Sequence, residues 1–151
     1  MRAPLAVLAV LLAVLAAAAP AQAQSSRLPT VELTAGIHLI TAEVADSDPA
    51  RMRGLMLRQS LPANHGMLFL FDRKATHCMW MRNTLLPLSV AFLDEKGRII
   101  NIEEMQPKTE NNHCAAKPAR YALEMNPGWF KSRGLSSGFA IMGIEKAPSG
   151  R

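Results

Sequence analysis

The stretch Pro87–Met105, "PLSVAFLDEKGRIINIEEM", constrains the fold more than any other part of the chain. Leu88, Val90 and Phe92 alternate with Ser89, Ala91 and Leu93. A second apolar run follows the polar segment Asp94-Glu95-Lys96-Gly97. Side chains two residues apart share one face of a strand, and Gly97 can take the positive φ that a short hairpin loop requires, so this segment predicts a β-hairpin. The same grammar recurs elsewhere. "VELTAGIHLITAEVA" reads as two strands around Ala35-Gly36, "GMLFLF" as a continuous apolar strand ended by a turn at Asp72-Arg73-Lys74, "RYALEM" as another strand and "GFAIMGIE" as a final one. Short strands separated by turn signals predict a mainly β fold, a jelly-roll-like sandwich or barrel.

Two segments depart from that rhythm and predict short helices. In "SDPARMRGLMLRQSLP", Ser47 or Asp48 can cap a helix near residues 48–58 whose first turn holds Pro49, with Gly54 keeping it short. In "NPGWFKSRG", Asn126 is placed to cap, Pro127 to start and Gly134 to stop a helix over 127–133. Residues 106–119 are polar and flanked by prolines, the pattern of a long loop.

The N-terminus reads as a secretory signal peptide over residues 1–23. Arg2 precedes an apolar run from Ala3 to Ala19, then Pro20 and the small-residue triplet Ala21-Gln22-Ala23. Cleavage would leave a single domain over residues 24–145 and a frayed tail over 146–151. The product would be periplasmic or secreted, with no stable membrane span. The leader holds one of the 17 Lys+Arg and none of the 12 Asp+Glu, so the remainder carries a formal charge of +4. In the cell envelope such an excess favours an anionic small molecule or glycan as partner over nucleic acid. Oligomeric state is not legible. Cys78 and Cys114 are the two cysteines of the chain. An oxidising compartment makes their disulfide the expected state, worth roughly 3 to 4 kcal/mol on the loop-entropy account.

"HCMWMRNT", His77–Thr84, concentrates the chemistry. As a strand it would place His77, Met79 and Met81 on one face. Imidazole and thioether suit Cu(I), whereas methionine is also an adaptable filler of cores, and core packing is the expectation here. No cofactor is expected, copper being the alternative. Trp80 offers a stacking surface, Arg82 a planar donor fork, and Asn83 and Thr84 short polar groups. Catalytic motifs are sparse: there is no G-x-S-x-G or H-E-x-x-H pattern. Cys78 beside His77 or His113 could act as nucleophile and base, but a disulfide abolishes that role. Glu103, Glu104, Glu124 and Asp94 remain as acid–base candidates, which leaves open whether the protein is an enzyme.

"RMRGLMLRQSLPANHGMLFLFD", "CMWMRNTLLPLSVAFLDEKGRIINIEEM" and "RYALEMNPGWFKSRGLSSG" resemble the family known as domain of unknown function 192, from about Glu43 to Gly138. The resemblance implies an exported bacterial or archaeal single domain of mainly β structure, and no particular activity. Two positions depart from the family pattern: Ser89 stands where an acidic residue often follows "PL", and Gly138-Phe139 where Gly-Asp is common. The family positions that remain polar or aromatic are Arg53, Trp80, Arg82, Asn83, Thr84 and Glu124. Together they imply a ligand-binding site, expected as a groove floored by Trp80 for an anionic or sugar-like envelope compound. A hydrolase-type enzyme using Glu103 or Glu124 as base is the rival.

Overall fold

The computed structural model describes residues 27–148; the expected signal peptide lies outside them. The described chain is mainly β. Six strands form one sheet in the order β1 (Thr30–Ala35), β2 (His38–Ala45), β3 (His65–Ala75), β8 (Ala119–Met125), β5 (Leu88–Leu93) and β6 (Ile99–Met105). Two-residue strands β4 (Cys78–Met79) and β7 (His113–Cys114) form a separate ladder. No helix among the described residues is long and apolar enough to cross a membrane.

Both anticipated hairpins form. β1 pairs with β2 around Gly36 (φ +60°), and β5 with β6 around Gly97 (φ +73°). Gly97 is also needed for space, because a Cβ there would lie 2.5 Å from the Ile141 carbonyl oxygen. The Asp94 carboxylate stabilises this turn by accepting from the Lys96 and Arg98 N–H groups. All sheet pairings are antiparallel except β2 with β3. Parallel neighbours need a crossover, and residues 46–64 supply it, carrying the one α-helix among the described residues, α1 (Asp48–Arg53). Pro49 sits in its first turn and Gly54 ends it, so it is shorter than the 48–58 segment expected.

The sheet is buried on both faces, which explains why β3 and β5 read as nearly unbroken apolar runs; all six residues of β5 are buried. One face carries Leu33, Ile40, Leu68, Leu93 and Leu123 under Trp129 and Phe130. The other carries Met67, Phe69, Phe71, Val90 and Phe92, covered by Leu55 and Met81.

Three local expectations are corrected. Asp72-Arg73-Lys74 does not turn the chain: β3 continues to Ala75, with an irregularity in its pairing to β8 after Leu70. The segment 127–133 is not an α-helix from Pro127 but ends in a 3-10 turn, Lys131–Arg133, stopped by left-handed Gly134. Asn126 does not cap it with its side chain, which instead donates to the Leu61 and Pro62 carbonyls. Finally, "GFAIMGIE" makes only two isolated bridges, Ala140 to Arg98 and Met142 to Thr34. These bridges connect the β6 end of the sheet to β1, yet the sheet is not a fully hydrogen-bonded barrel.

Ser89 gains a carboxylate partner from the neighbouring strand. Its hydroxyl donates to Glu104 (2.7 Å) and accepts from the Gly128 N–H (2.7 Å), which also reaches Glu104 (3.2 Å).

Candidate functional site

Strand alternation puts Ala122 and Glu124 of β8 on the face that carries Met67 and Phe69 of β3 and Val90 and Phe92 of β5. In the register, Glu124 stands opposite Met67 on one side and Val90 on the other. It is thus a carboxyl on a central strand with apolar neighbours, 4 % exposed. No side-chain hydrogen bond or ion pair satisfies it among the described residues. Burial penalises its charged form and pushes its pKa up to about 8, so at neutral pH it is mostly a neutral carboxylic acid. The β3 and β8 backbones approach closely here, and a Cβ on Gly66 would clash with the Glu124 carbonyl oxygen.

Glu124 lines a cavity of about 730 Å³ that opens between the end of α1, the outer half of β3 and the His77–Trp80 segment. Leu55, Phe69, Phe71 and Met79 supply its apolar walls. Gly54 lets the helix end lie against the sheet, since a Cβ there would be 3.3 Å from the Phe69 ring. Arg51 fastens α1 to β3. Its guanidinium donates to the Asp46 and Leu70 carbonyls (3.1 and 2.7 Å) and to the Asp48 and Asp72 carboxylates (2.7 and 3.1 Å). Arg53 and Arg73, also on the lining, are exposed and make no ion pair among the described residues.

The far wall depends on the disulfide. Cys78 and Cys114 lie directly opposite each other in the β4–β7 ladder and are bonded. Further contacts hold the 106–118 segment in place: Met81 N–H donates to Thr109 O, Lys108 N–H to Thr84 O, and the Asn101 amide to Cys114 O. The loop read from the sequence is therefore an arm fixed along its length.

Of the six anticipated ligand-binding residues, Arg53, Trp80, Thr84 and Glu124 line this cavity; Arg82 and Asn83 do not. Thr84 is buried, its hydroxyl donating only a long bond to the Arg82 carbonyl (3.4 Å). Trp80 is 38 % exposed and stands at the wall, while Glu124 and Thr84 are the buried polar residues of the lining. Arg82 lies over the Trp80 ring (5.6 Å) and toward Glu110 (3.8 Å) on the surface. Asn83 takes a left-handed turn (φ +56°) and its carbonyl accepts from Leu57 N–H. The reason is that the expected strand over 77–84 stops at Met79, and Thr84 N–H closes a turn onto the Met81 carbonyl.

That turn also interrupts the strand expected to carry the three anticipated copper ligands. His77 stacks on Phe71 (3.7 Å between centroids) with Nε2 at the Arg73 carbonyl, Met79 lines the cavity, and Met81 is fully buried in the core. They do not lie on one strand, because β4 covers only Cys78–Met79. Glu103 lies away from the cavity, 3.9 Å from His113, so among the acid–base candidates only Glu124 is in it. Sequence reasoning missed Arg51, Leu55, Phe69 and Phe71. The alternation Met67-x-Phe69-x-Phe71 was the available signal for the two phenylalanines.

The family model of domain of unknown function 192, described as an uncharacterized ACR, matches residues 30–143. No curated protein matches the chain. A crystal structure from Sinorhizobium meliloti 1021, provisionally assigned as a transcription regulator, is 36 % identical. The match covers 76 % of this chain and 92 % of that one, with a TM-score of 0.71. A protein of unknown function from Novosphingobium aromaticivorans DSM 12444 is 34 % identical over 83 % of this chain and 93 % of that one, with a TM-score of 0.73.

Proposed function

Taking as premise that this chain belongs to the family domain of unknown function 192, we propose that it is an exported small-molecule-binding module of the cell envelope. Its ligand is an anionic or sugar-like compound held in the cavity floored by Glu124. The observation that carries this reading is a buried carboxyl, without a protein partner, at the apolar base of a cavity. Such a group costs folding free energy that an apolar residue would not, and a hydrogen-bonding ligand would offset that cost. The volume lies within the ordinary range for small-molecule sites, and apolar walls with a few convergent polar groups are their usual composition. Export rests on the Arg2-to-Ala23 segment and on the disulfide, which suits an oxidising compartment.

A thermal-shift screen of envelope sugars, peptidoglycan fragments and organic acids tests the proposal. Ligands should raise the Tm of the wild type, and the gain should shrink in Trp80→Ala because the indole lines the cavity. Hits that stabilise both proteins equally would place the site elsewhere.

The same carboxyl supports the rival reading. A glutamic acid raised to about 8 is poised as a general acid or base near neutral pH. Turnover of a hit by the wild type, lost in Glu124→Gln with binding retained, would make the protein an enzyme of hydrolase type.

A further inference from the structure

The cavity is chemically polarised. Two of its lining groups are buried and polar, the Glu124 carboxyl and the Thr84 hydroxyl, 4 % and 5 % exposed. Leu55, Phe69 and Phe71 line it too, and along β3 the two phenylalanines come between Met67, which stands opposite Glu124, and Arg73. Arg53 and Arg73 are exposed and without carboxylate partners among the described residues. Arg51, the third arginine of the lining, is neutralised by Asp48 and Asp72.

We infer that the cavity takes elongated organic acids in one orientation: an uncharged carbonyl, amide or hydroxyl end against Glu124 and Thr84, and the anionic end at the mouth with Arg53 and Arg73. This rests on the small-molecule reading above and adds the ligand class to it. A neutral carboxylic acid donates one hydrogen bond and accepts another, so it matches an uncharged acceptor without burying a net charge. Thr84 can donate and accept beside it. An anion at the inner end would face the carboxyl with no buried cation to offset its desolvation. The outer arginines present planar donor forks suited to carboxylate or phosphate. The aromatic walls favour a flat middle section.

The other titratable groups of the lining are Asp48, Arg51 and Arg53 from the helix side, Asp72 and Arg73 from β3, and His77 ahead of β4. β5 presents Val90 to Glu124, and β3 presents Met67. Desolvation displaces the protonation of Glu124 into the neutral range, and its ionisation there is what the pH dependence of binding reads.

Three probes built on one phenylpropionate frame separate the possibilities: 3-(4-acetamidophenyl)propionate, 3-(4-aminomethylphenyl)propionate and 1,4-phenylenedipropionate, whose remote ends are neutral, cationic and anionic. Binding is read from amide chemical shifts of Gly54 and Thr84 in the full folded protein. The acetamido probe should bind at least about tenfold more tightly than the other two. Its affinity should fall roughly tenfold between pH 7 and pH 9 as Glu124 ionises. Glu124→Gln, which keeps a donor and an acceptor but cannot ionise, should remove the pH dependence of that probe's binding; a single cooperative melting transition confirms that it folds. Preference for the aminomethyl probe would overturn the inference, as would pH-independent binding in the wild type, while leaving a small-molecule site standing. If none of the three binds but compounds from the screen do, the ligand class is wrong and the site survives. If neither set binds, both readings fall.

Discussion

The two faces of the six-stranded sheet are built from the same strands but solve different problems. On the face under Trp129 and Phe130, an apolar cluster runs from Leu33 and Ile40 through Leu68 to Leu123, and the buried polar group on it, Ser89, is satisfied by Glu104 and the Gly128 N–H. On the other face the same strands contribute Met67, Phe69, Val90 and Phe92, and then interrupt them with Glu124 and a cavity of about 730 Å³. A closely packed apolar face maximises stability. A face with an unpaired carboxyl and empty volume forgoes some of it. The difference teaches that close apolar packing is concentrated under Trp129 and Phe130, and the unpaired carboxyl with its cavity on the face covered by the end of α1 and the disulfide-tied arm.

Truncation on the packed face should have the largest effect. Phe130 is fully buried in the apolar cluster, so Phe130→Ala should lower unfolding free energy by about 3–5 kcal/mol, measured by urea denaturation. A loss below about 1 kcal/mol would mean that this face is not where the fold is held.

The opposite face should respond in the opposite direction. The folded protein keeps on Glu124 a proton that the unfolded chain releases near pH 4.5. Raising the pH from there therefore favours the unfolded chain by about 1.4 kcal/mol per unit, until Glu124 itself ionises near 8. Between pH 5 and pH 7 the wild type should lose roughly 3 kcal/mol from this group. Glu124→Gln should remove that component and be the more stable protein at pH 8. Parallel pH-stability curves for the two proteins would break the comparison.

The smallest effect belongs to the outer surface. Arg82 is exposed, and its contacts to Trp80 and Glu110 are long. Arg82→Ala should change stability by less than about 0.5 kcal/mol and leave ligand-induced shifts intact. A lost shift would bring this side chain into the site and redraw its boundary.

Much of this was legible before the structure. The hairpins around Gly36 and Gly97 follow from alternation flanking residues that tolerate positive φ, both local properties. The failures share a cause. His77–Thr84 alternates as a strand should, but Met81 is held in the core while Thr84 and Thr109 bond to its backbone, and the chain turns. That fold-back left Arg82 and Asn83 off the cavity and Met81 beyond the end of β4, so pattern alone could not assign their faces.

Composition and local pattern determined that the domain is mainly β, that a short helix starts near Pro49, and that Cys78 and Cys114 are the cysteines available to pair. Chain order along the sheet, including the parallel β2–β3 contact, was decided by tertiary packing. So was the character of Glu124. In "RYALEM" it is one acidic residue in a strand, with nothing local to distinguish it from Glu103 or Glu104. Its burial and raised pKa arise because β3 and β5, distant in sequence, flank it with Met67 and Val90 while α1 covers the face above. Desolvation is a property of the surroundings in three dimensions, and those surroundings exist only once the sheet has formed.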